Sequence, residues 1–423
     1  MIEETAEGLA KKQGIRELSK FKPFMYLLLA RIVSRFGDSI DAIAYSWMVY
    51  MMTGSKILMG TLFALNFVPG ILFSVFTGAL VDRWPKRLVV LIAYLGRGML
   101  VLITAWLFWI GALRPWHLYV LTLLNSTLEC FASPAETALV PSLLPKEQLL
   151  SANSVSSSVC RIAELAGLAI AGGMISFIGI SGAILIDSLT FLAAALFIGL
   201  IRGLDSTEAR ISDASTTSLI EEIKTGLKFM STNKLILTIM LTAAYVNLCL
   251  APYNVLNPVY VKEILNSGPQ GLSALGISLI CGMIASGLWI SRKGSQYKKS
   301  TLIITGYLLL CINYALLFVA PFVKFNAHLP LVVAAIFSFG IGCAVSLVST
   351  PTATYFMEEV PKELLGRIGS LNGMLATCAI PIGSLIAGFA GEWIPVHYLY
   401  LSFGLLLLLP ILFLIRQRSF LRI

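Results

Sequence analysis

The first apolar run of the chain, near residues 23–52, carries an unusual set of ionisable side chains. They recur every three or four residues, so a helix would place them on one face. They are Arg31, Ser34, Arg35, Asp38 and Asp41. An ionisable group within a membrane-spanning helix costs at least roughly 2.5–3.5 kcal/mol, and such groups usually face a cavity or one another. We therefore expect this face to line a polar interior, with both aspartates as candidate proton-coupling residues.

The two aspartates differ in the partners that their own helix offers. Asp38 can pair with Arg35 one turn away or with Arg31 two turns away, so a structural ion pair is as well supported as proton coupling. Asp41 has no evident partner in this helix, and a low-dielectric environment favours the neutral form of a carboxyl. Asp41 is therefore the better candidate for reversible protonation.

A second polar stripe lies in the fourth apolar run, again with steps of three and four. It consists of Thr122, Asn125, Ser126, Glu129, Ser133 and Glu136. We interpret Glu129, near the middle of the span, as a proton or cation-recognition site, and Glu136 as a further candidate nearer its end. The alternative for Glu129 is a structural hydrogen bond to the first or second helix, where Asn66 is a plausible partner.

Other polar groups in the first half are less informative. Arg161 and Glu164 are spaced to form a local ion pair, which we expect to be structural. Gly167 follows them and allows close helix packing. Arg97 and Asp187 are isolated in their runs, and the sequence does not identify their partners.

The composition defines the elements that must hold these groups. Hydrophobic residues make up 57% of the 423 residues and charged residues 13%, whereas a soluble domain has about 25% charged residues. Each apolar run approaches or exceeds the roughly 20 residues that span a bilayer. The sequence predicts an all-α integral membrane protein with twelve helices, near 23–52, 57–81, 88–110, 116–139, 154–177, 179–201, 235–261, 271–291, 301–321, 329–356, 366–390 and 396–415.

These runs form two groups of six. We expect a cytoplasmic tail at 1–22, a bundle at 23–202, a cytoplasmic linker at 203–234, a second bundle at 235–416 and a tail at 417–423. The halves also repeat: Pro-Lys-Glu follows the fourth run at residues 145–147 and the tenth at 361–363, and at the same offset Gly167 corresponds to Gly383. The sequence therefore predicts two six-helix pseudo-repeats.

Positive charge indicates the orientation. The formal net charge is +9, but the basic residues are scattered over loop ends, which disfavours nucleic-acid binding. Only four of the 31 lysines and arginines fall on the side opposite the termini: Lys56, Arg114, Lys262 and Lys324. Because cytoplasmic loops are enriched in Lys and Arg, we expect a multi-pass protein of the cytoplasmic membrane with both termini cytoplasmic.

A charged turn joins the second and third runs. It contains Gly78, Asp82, Arg83, Lys86 and Arg87 in a Gly-x-x-x-Asp-Arg-x-x-Lys-Arg pattern. This pattern between two membrane helices resembles the signature of the major facilitator superfamily of secondary transporters. It departs from that signature at residue 85, where proline stands in place of the usual glycine.

Further motifs narrow the resemblance to one branch. They are Ser-Arg-Phe-Gly-Asp at 34–38, Ser-Pro-Ala at 133–135 and Gly-Arg-Ile at 366–368. Together they look like the macrolide-efflux and enterobactin-exporter branch. The resemblance implies export of an amphiphilic organic molecule, a macrolide-like drug or a catecholate siderophore, by proton antiport with alternating access. In antiporters of this superfamily a Gly-Pro motif occupies the position of Gly167, and here leucine replaces the proline.

We assign further roles within this hypothesis. The turn would act as a conformational switch, with Asp82 accepting hydrogen bonds from the start of the eleventh helix and the basic residues meeting acidic ones while the cytoplasmic mouth is closed. The switch residues are Gly78, Asp82, Arg83, Lys86, Arg87 and Arg367. Candidate cavity and substrate residues are Arg31, Arg35, Tyr45, Trp47, Phe63, Asn66, Phe67, Tyr253 and Asn254.

Two other functions fit a polytopic chain. One is a lipid or lysophospholipid flippase of the same fold. The other is a membrane enzyme, which is disfavoured because the three histidines form no metal motif and no nucleophile–base set is apparent. No phosphate-binding loop of an ATP-driven pump is present. We expect a monomer without cofactor or metal whose partners are a small molecule, protons and membrane lipids.

Overall fold

A computed structural model of the chain describes residues 17–201, 233–323, 326, 328–361, 365–417 and 419–422. These residues form helices and connecting turns, with no strand among them. The principal helices are α1 (Lys22–Thr53), α2 in two pieces (Lys56–Leu65 and Val68–Arg83), α3 (Lys86–Trp109), α4 (Pro115–Leu143), α5 and α6 within Leu149–Gly199, α7 (Lys234–Val259), α8 (Pro269–Lys293), α9 (Lys299–Leu316), α10 (Leu329–Glu359), α11 (Leu365–Trp393) and α12 in two pieces (Val396–Leu406 and Leu408–Arg416).

The helices confirm the predicted all-α membrane fold, and they are consistent with twelve membrane passages. Within the described residues, nine helical stretches are long and apolar enough to cross a bilayer. The stretch that contains both α5 and α6 is one of the nine. The helices α1 and α4 are not among them, because the polar stripes singled out above lower their hydropathy.

Local sequence explains the breaks in this helical pattern. Pro69 has no N–H to donate to the carbonyl of Leu65, and α2 is interrupted there at Asn66 and Phe67. The separation of α5 from α6 occurs at Gly179, whose φ of 74° lies in the left-handed region that favours glycine.

The chain divides into two compact units: Met1–Tyr45 with Leu72–Asp213, and Ser46–Ile71 with Ala214–Ile423. A matching glycine contact occurs in each unit. A Cβ at Gly167 of α5 would lie 2.5 Å from the carbonyl oxygen of Phe36 in α1. A Cβ at Gly383 of α11 would lie 2.5 Å from the carbonyl oxygen of Leu248 in α7. The two glycines that the repeat pairs in sequence therefore make the same kind of close helix contact.

Residues 46–71 belong to the second unit, although the sequence division places them in the first bundle. The reason is a set of contacts at the junction of α1 and α2. A Cβ at Gly60 would lie 2.9 Å from the Cα of Gly388, so α2 and α11 approach closely. The carboxylate of Glu392 accepts hydrogen bonds from the backbone N–H of Lys56 at 2.9 Å and of Ile57 at 3.2 Å. Glu392 thereby caps the N-terminus of α2.

Candidate functional site

Arg97 is the centre of an ionisable network in the first unit. Its side chain, on α3, is only 8% exposed. The guanidinium lies 3.0 Å from a carboxylate oxygen of Asp38 on α1 and 3.7 Å from one of Glu129 on α4. It also donates to the amide oxygen of Asn125 at 3.2 Å and stacks over the ring of Phe191 at 4.3 Å. Two carboxylates from different helices therefore share one buried cation.

Arg31 forms a second group of contacts in the same unit. The sequence offered Arg31 as an alternative partner for Asp38, but its guanidinium instead lies 3.2 Å from a carboxylate oxygen of Glu136. It also donates to the hydroxyl of Ser156 at 3.3 Å. Arg35, the other predicted partner of Asp38, is within 3.8 Å of it and is 51% exposed. The local pair therefore exists, but the buried partner of Asp38 comes from α3.

Tyr94 links α3 to the group around Arg31. Its hydroxyl donates to a carboxylate oxygen of Glu136 at 2.8 Å and lies 3.4 Å from the hydroxyl of Ser34. Glu136 therefore receives bonds from both an arginine and a tyrosine, and it is 14% exposed. These contacts hold Glu136 in a structured, ion-paired position.

The spacing along α1 and α4 explains how the two groups arise. Asp38 follows Arg31 by seven residues, and Glu136 follows Glu129 by seven, which is about two helical turns in each case. Since Arg31 meets Glu136 while Asp38 and Glu129 meet at Arg97, the helices run in opposite directions. The polar stripes predicted on α1 and α4 therefore face each other, and side chains of α3 contact both stripes.

Among the residues that the structure describes, two carboxyls in this region lack a guanidinium partner. Asp41 makes no hydrogen bond or ion pair with any residue that the structure describes. Asp187 on α6 is fully buried and accepts one side-chain bond, from Thr190 at 3.3 Å. Counted over the described residues, this network holds three arginines (31, 35 and 97) and five carboxyls (38, 41, 129, 136 and 187). Because arginine stays charged, full ionisation would leave excess negative charge.

The predicted aromatic and asparagine cavity residues are distributed over both units. Tyr45 lies in the first unit, where its hydroxyl is 2.7 Å from that of Thr122. The others lie in the second unit: Trp47, Phe63, Asn66, Phe67, Tyr253 and Asn254. The rings of Phe63 and Phe67 are 5.5 Å apart, and Trp47 is buried. Asn66 is exposed at the break in α2.

Tyr253 is a core residue of the second unit. Its hydroxyl donates to Ser338 at 3.1 Å, and its ring is 6.2 Å from Tyr314 and 6.0 Å from Tyr400. All three tyrosines are buried, whereas the adjacent Asn254 is exposed.

The proposed switch residues are described only in part. The side chains of Asp82, Arg83 and Arg367, and the surroundings of Gly78, lie outside the described part of the structure. Lys86 begins α3. The side chain of Arg87 donates to the carbonyl oxygens of Ile198 and Gly199 at the end of α6, at 3.2 and 2.7 Å. Arg87 thus has a structural contact at a helix C-terminus, where a positive charge is favourable.

The remaining predictions concern one local ion pair, the linker and N-terminal tail, and metal ligands. The predicted local pair of Arg161 and Glu164 is confirmed at 2.7 Å. Residues 203–232 of the predicted linker and residues 1–16 of the predicted N-terminal tail lie outside the described residues. In the part of the chain that is described, no group of three or more histidine, cysteine, aspartate or glutamate side chains could hold a metal ion.

Comparison with known proteins identifies the family. The family model of the Major Facilitator Superfamily matches residues 27–380. The chain belongs to the Major Facilitator Superfamily. This result confirms the resemblance drawn from the charged turn, and members of the superfamily with similar sequences are transporters. The chain is accordingly a multi-pass membrane transporter.

Relatives within the Major Facilitator Superfamily include efflux proteins. Macrolide efflux protein A of Streptococcus pyogenes is 25% identical over 393 residues, covering 91% of this chain and 93% of that protein. The multidrug efflux pump Tap of Mycolicibacterium fortuitum is 24% identical over 399 residues, covering 92% and 94%. Among solved structures, a mutant of the nucleoside transporter NupG has a TM-score of 0.73 at 12% identity, covering 95% of this chain and 99% of that one, which shows a shared fold.

Sequence reasoning missed three residues of this network as site residues: Tyr94, Arg97 and Asp187. An arginine and an aspartate, each alone in an apolar run, are a signal that such groups pair across helices. Their partners depend on how α3 and α6 are rotated against α1 and α4. That rotation is not encoded in spacing along any single helix.

Proposed function

We propose that this transporter exports an amphiphilic, macrolide-like organic molecule from the cytoplasm in exchange for protons. The observation that carries the substrate class is full-length similarity to macrolide efflux protein A and to the multidrug efflux pump Tap. These names favour a drug-like substrate over the catecholate siderophore that the motifs left open. Both termini would be cytoplasmic, so export is directed away from the side that carries the basic loops.

The proton-coupling role rests on the charge balance of the network around Arg97. Asp38 and Glu129 compete for one guanidinium. Protonation of one of these carboxylates would leave Arg97 paired with the other carboxylate alone. The electrostatic attraction of α3 to α1 and α4 would then change. Glu136 with Arg31 would form a second coupled pair, and Asp41, which has no such partner among the described residues, would gain and lose a proton most easily. The protonated and deprotonated forms of these carboxyls would favour different conformations, one inward-open and the other outward-open.

Substrate contacts would come from side chains that line the path between these states. Tyr45, next to Thr122, and Arg31 and Arg35 are the candidates in the first unit. In the second unit the candidates are Phe63, Phe67 and Asn254, which offer two aromatic rings and an amide. Few fixed polar anchors and several aromatic rings suit a bulky amphiphile.

The experiment is flux in proteoliposomes with an imposed pH gradient, using radiolabelled erythromycin as the macrolide probe and an internal pH dye. We expect erythromycin movement to be driven by the gradient, to carry protons the opposite way, and to stop when a protonophore is added. Asp38→Asn, Asp41→Asn, Glu129→Gln and Glu136→Gln should each reduce gradient-driven flux at least tenfold.

The matched control is Glu164→Gln, which removes a carboxylate from the exposed pair with Arg161 and should retain normal flux. Wild-type erythromycin flux that does not depend on the proton gradient would contradict antiport. Movement of a fluorescent lysophospholipid between leaflets, without erythromycin transport, would support the flippase alternative instead.

A further inference from the structure

Asp187 on α6 is a carboxyl group that the coupling scheme above does not use. The residue is fully buried, with 0% of its surface exposed. Its Oδ1 lies 3.3 Å from the hydroxyl of Thr190, which also donates to the backbone carbonyl of Asp187 at 2.7 Å, so Oδ1 receives only the weaker branch of that bond. Its Oδ2 is also buried and has no hydrogen-bond partner among the described residues. A carboxylate left in this condition would have lost its water shell without gaining equivalent donors.

The backbone of α1 explains how Asp187 comes to be enclosed. Gly37 on α1 faces α6, and a Cβ built there would lie 2.9 Å from the Cβ of Thr190 and would also collide with Asp187. Only a glycine leaves room for the carboxyl at this crossing. The side chain of Asp187 is therefore pressed against α1 where that helix has no side chain of its own.

The same crossing brings Asp187 next to Asp41. Asp41 follows Gly37 by four residues, so it lies one turn further along the same face of α1. Asp187 interacts electrostatically with Asp41 and Asp38 from α1 and with Arg97 from α3. Two of these three groups are carboxyls, and neither Asp41 nor Asp187 has an ion-pair partner among the described residues.

The one cation in this set is already engaged. The guanidinium of Arg97 binds Asp38, Glu129 and Asn125 and stacks on Phe191. Among the described residues it makes no hydrogen bond or ion pair with Asp187. A negative charge on Asp187 would consequently face two nearby carboxyls while Arg97 is held by others.

We propose that Asp187 is a second proton-carrying residue of this transporter, acting beside Asp41. In the state seen here the carboxyl binds a proton on one oxygen. It releases that proton when protonation of both Asp38 and Glu129 leaves Arg97 without its present partners and free to turn toward α6, so protons bound on α1 and α4 are matched by a proton lost at α6. This inference rests on the proposed proton antiport for its role in transport, but the protonated state of Asp187 can be tested without any substrate.

The first test is infrared difference spectroscopy of the full-length protein in lipid, titrated over pH without substrate. The C=O stretch of a protonated carboxyl is separate from carboxylate bands. We expect a protonated-carboxyl band at neutral pH that loses one component in Asp187→Asn and a different one in Asp41→Asn. Glu164→Gln is the control: it lies in the exposed pair with Arg161, outside the network around Arg97, so the band should not change. A band identical in wild type and Asp187→Asn would overturn the proposal.

Thr190→Val provides a second variant that keeps the carboxyl. Loss of the hydroxyl that donates to Oδ1 should move the C=O component of Asp187 to higher frequency. An unmoved component would show that the band belongs to another group and would overturn the assignment. The shift is measurable even if Asp187→Asn folds poorly.

The role in transport is tested with erythromycin in proteoliposomes. Asp187→Asn places a neutral isostere of the protonated form at this position. We expect gradient-driven erythromycin flux to fall at least tenfold in this variant, while erythromycin exchange with equal pH on both sides of the membrane is retained. Full gradient-driven flux in this variant would overturn the transport role. If wild-type flux proves independent of protons while the infrared component persists, the antiport proposal fails and the protonated state of Asp187 stands.

Discussion

The guanidinium of Arg97 on α3 lies 3.0 Å from the carboxylate of Asp38 on α1. The two residues are far apart in sequence, and each lies in a helix that is largely apolar. Because an arginine cannot lose its charge inside the protein, Arg97 stays positive whichever carboxyl it contacts. The pair is therefore both a structural link between two helices and the element that proton binding would disturb.

Removal of the cation should be costly for the fold. Arg97→Ala would leave two carboxylates without their shared partner, and breaking one side of a buried pair costs on the order of 3 kcal/mol. We expect a clear drop in the thermal midpoint of the purified protein and loss of erythromycin flux. Arg161→Ala, in an exposed pair, should cost at most about 1 kcal/mol.

The double variant Arg97→Ala with Asp38→Ala separates pairing from other effects. If the pair dominates, the double variant should be less destabilised than the sum of the single variants. Strict additivity would show that Arg97 stabilises the unit through Glu129, Asn125 or Phe191 instead.

The equivalent glycines of the two units should be equally intolerant of a side chain. Gly167→Ala and Gly383→Ala each place a Cβ 2.5 Å from a backbone carbonyl oxygen of the neighbouring helix. Overpacking of this kind costs about 1–3 kcal/mol, because backbone must move. Thermal melts should show a similar loss for both variants.

Gly173 supplies the control for those substitutions. It lies on the same helical stretch as Gly167, but among the described residues no atom beyond its own local helix backbone lies within 4 Å of a Cβ built there. Gly173→Ala should be neutral or stabilising by up to about 1 kcal/mol, since alanine favours helix. A loss as large as that of Gly167→Ala would mean that flexibility, rather than close packing, is what the glycines provide.

Glu392 should stabilise the start of α2. Glu392→Ala removes the acceptor for the N–H groups of Lys56 and Ile57 and for the hydroxyl of Ser55. Loss of a helix cap costs about 1 kcal/mol. We expect Glu392→Gln, which keeps an oxygen acceptor, to recover part of the lost thermal midpoint. Equal losses in both variants would indicate that charge, rather than hydrogen bonding, makes the contribution.

Substitution of Asp82 tests the switch hypothesis most directly. Asp82→Asn should abolish erythromycin transport while leaving membrane insertion and thermal stability unchanged, because only a conformational contact is lost. Glu164→Gln, at the exposed pair with Arg161, is the control and should transport normally. Wild-type flux in the Asp82 variant would remove this residue from the mechanism.

Much of the fold could be predicted because its signals are local. The length of each apolar run sets the number of passages, and the steps between Arg31, Asp38 and Asp41 set a common face. The repeat of Gly167 in Gly383 likewise predicted that the halves are built alike. Family membership followed from a short charged turn in a recognisable membrane context.

Tertiary structure decided which charged groups meet. Spacing alone made Arg31 a possible partner of Asp38, but it contacts Glu136, while Asp38 contacts Arg97 from another helix. The sequence pattern also could not distinguish Tyr253, which is buried among tyrosines, from Asn254, which is exposed. It did not indicate that Asp187 is enclosed at Gly37. The physical reason is that periodicity fixes a residue's face on its own helix, whereas partners depend on the rotation and packing of neighbouring helices.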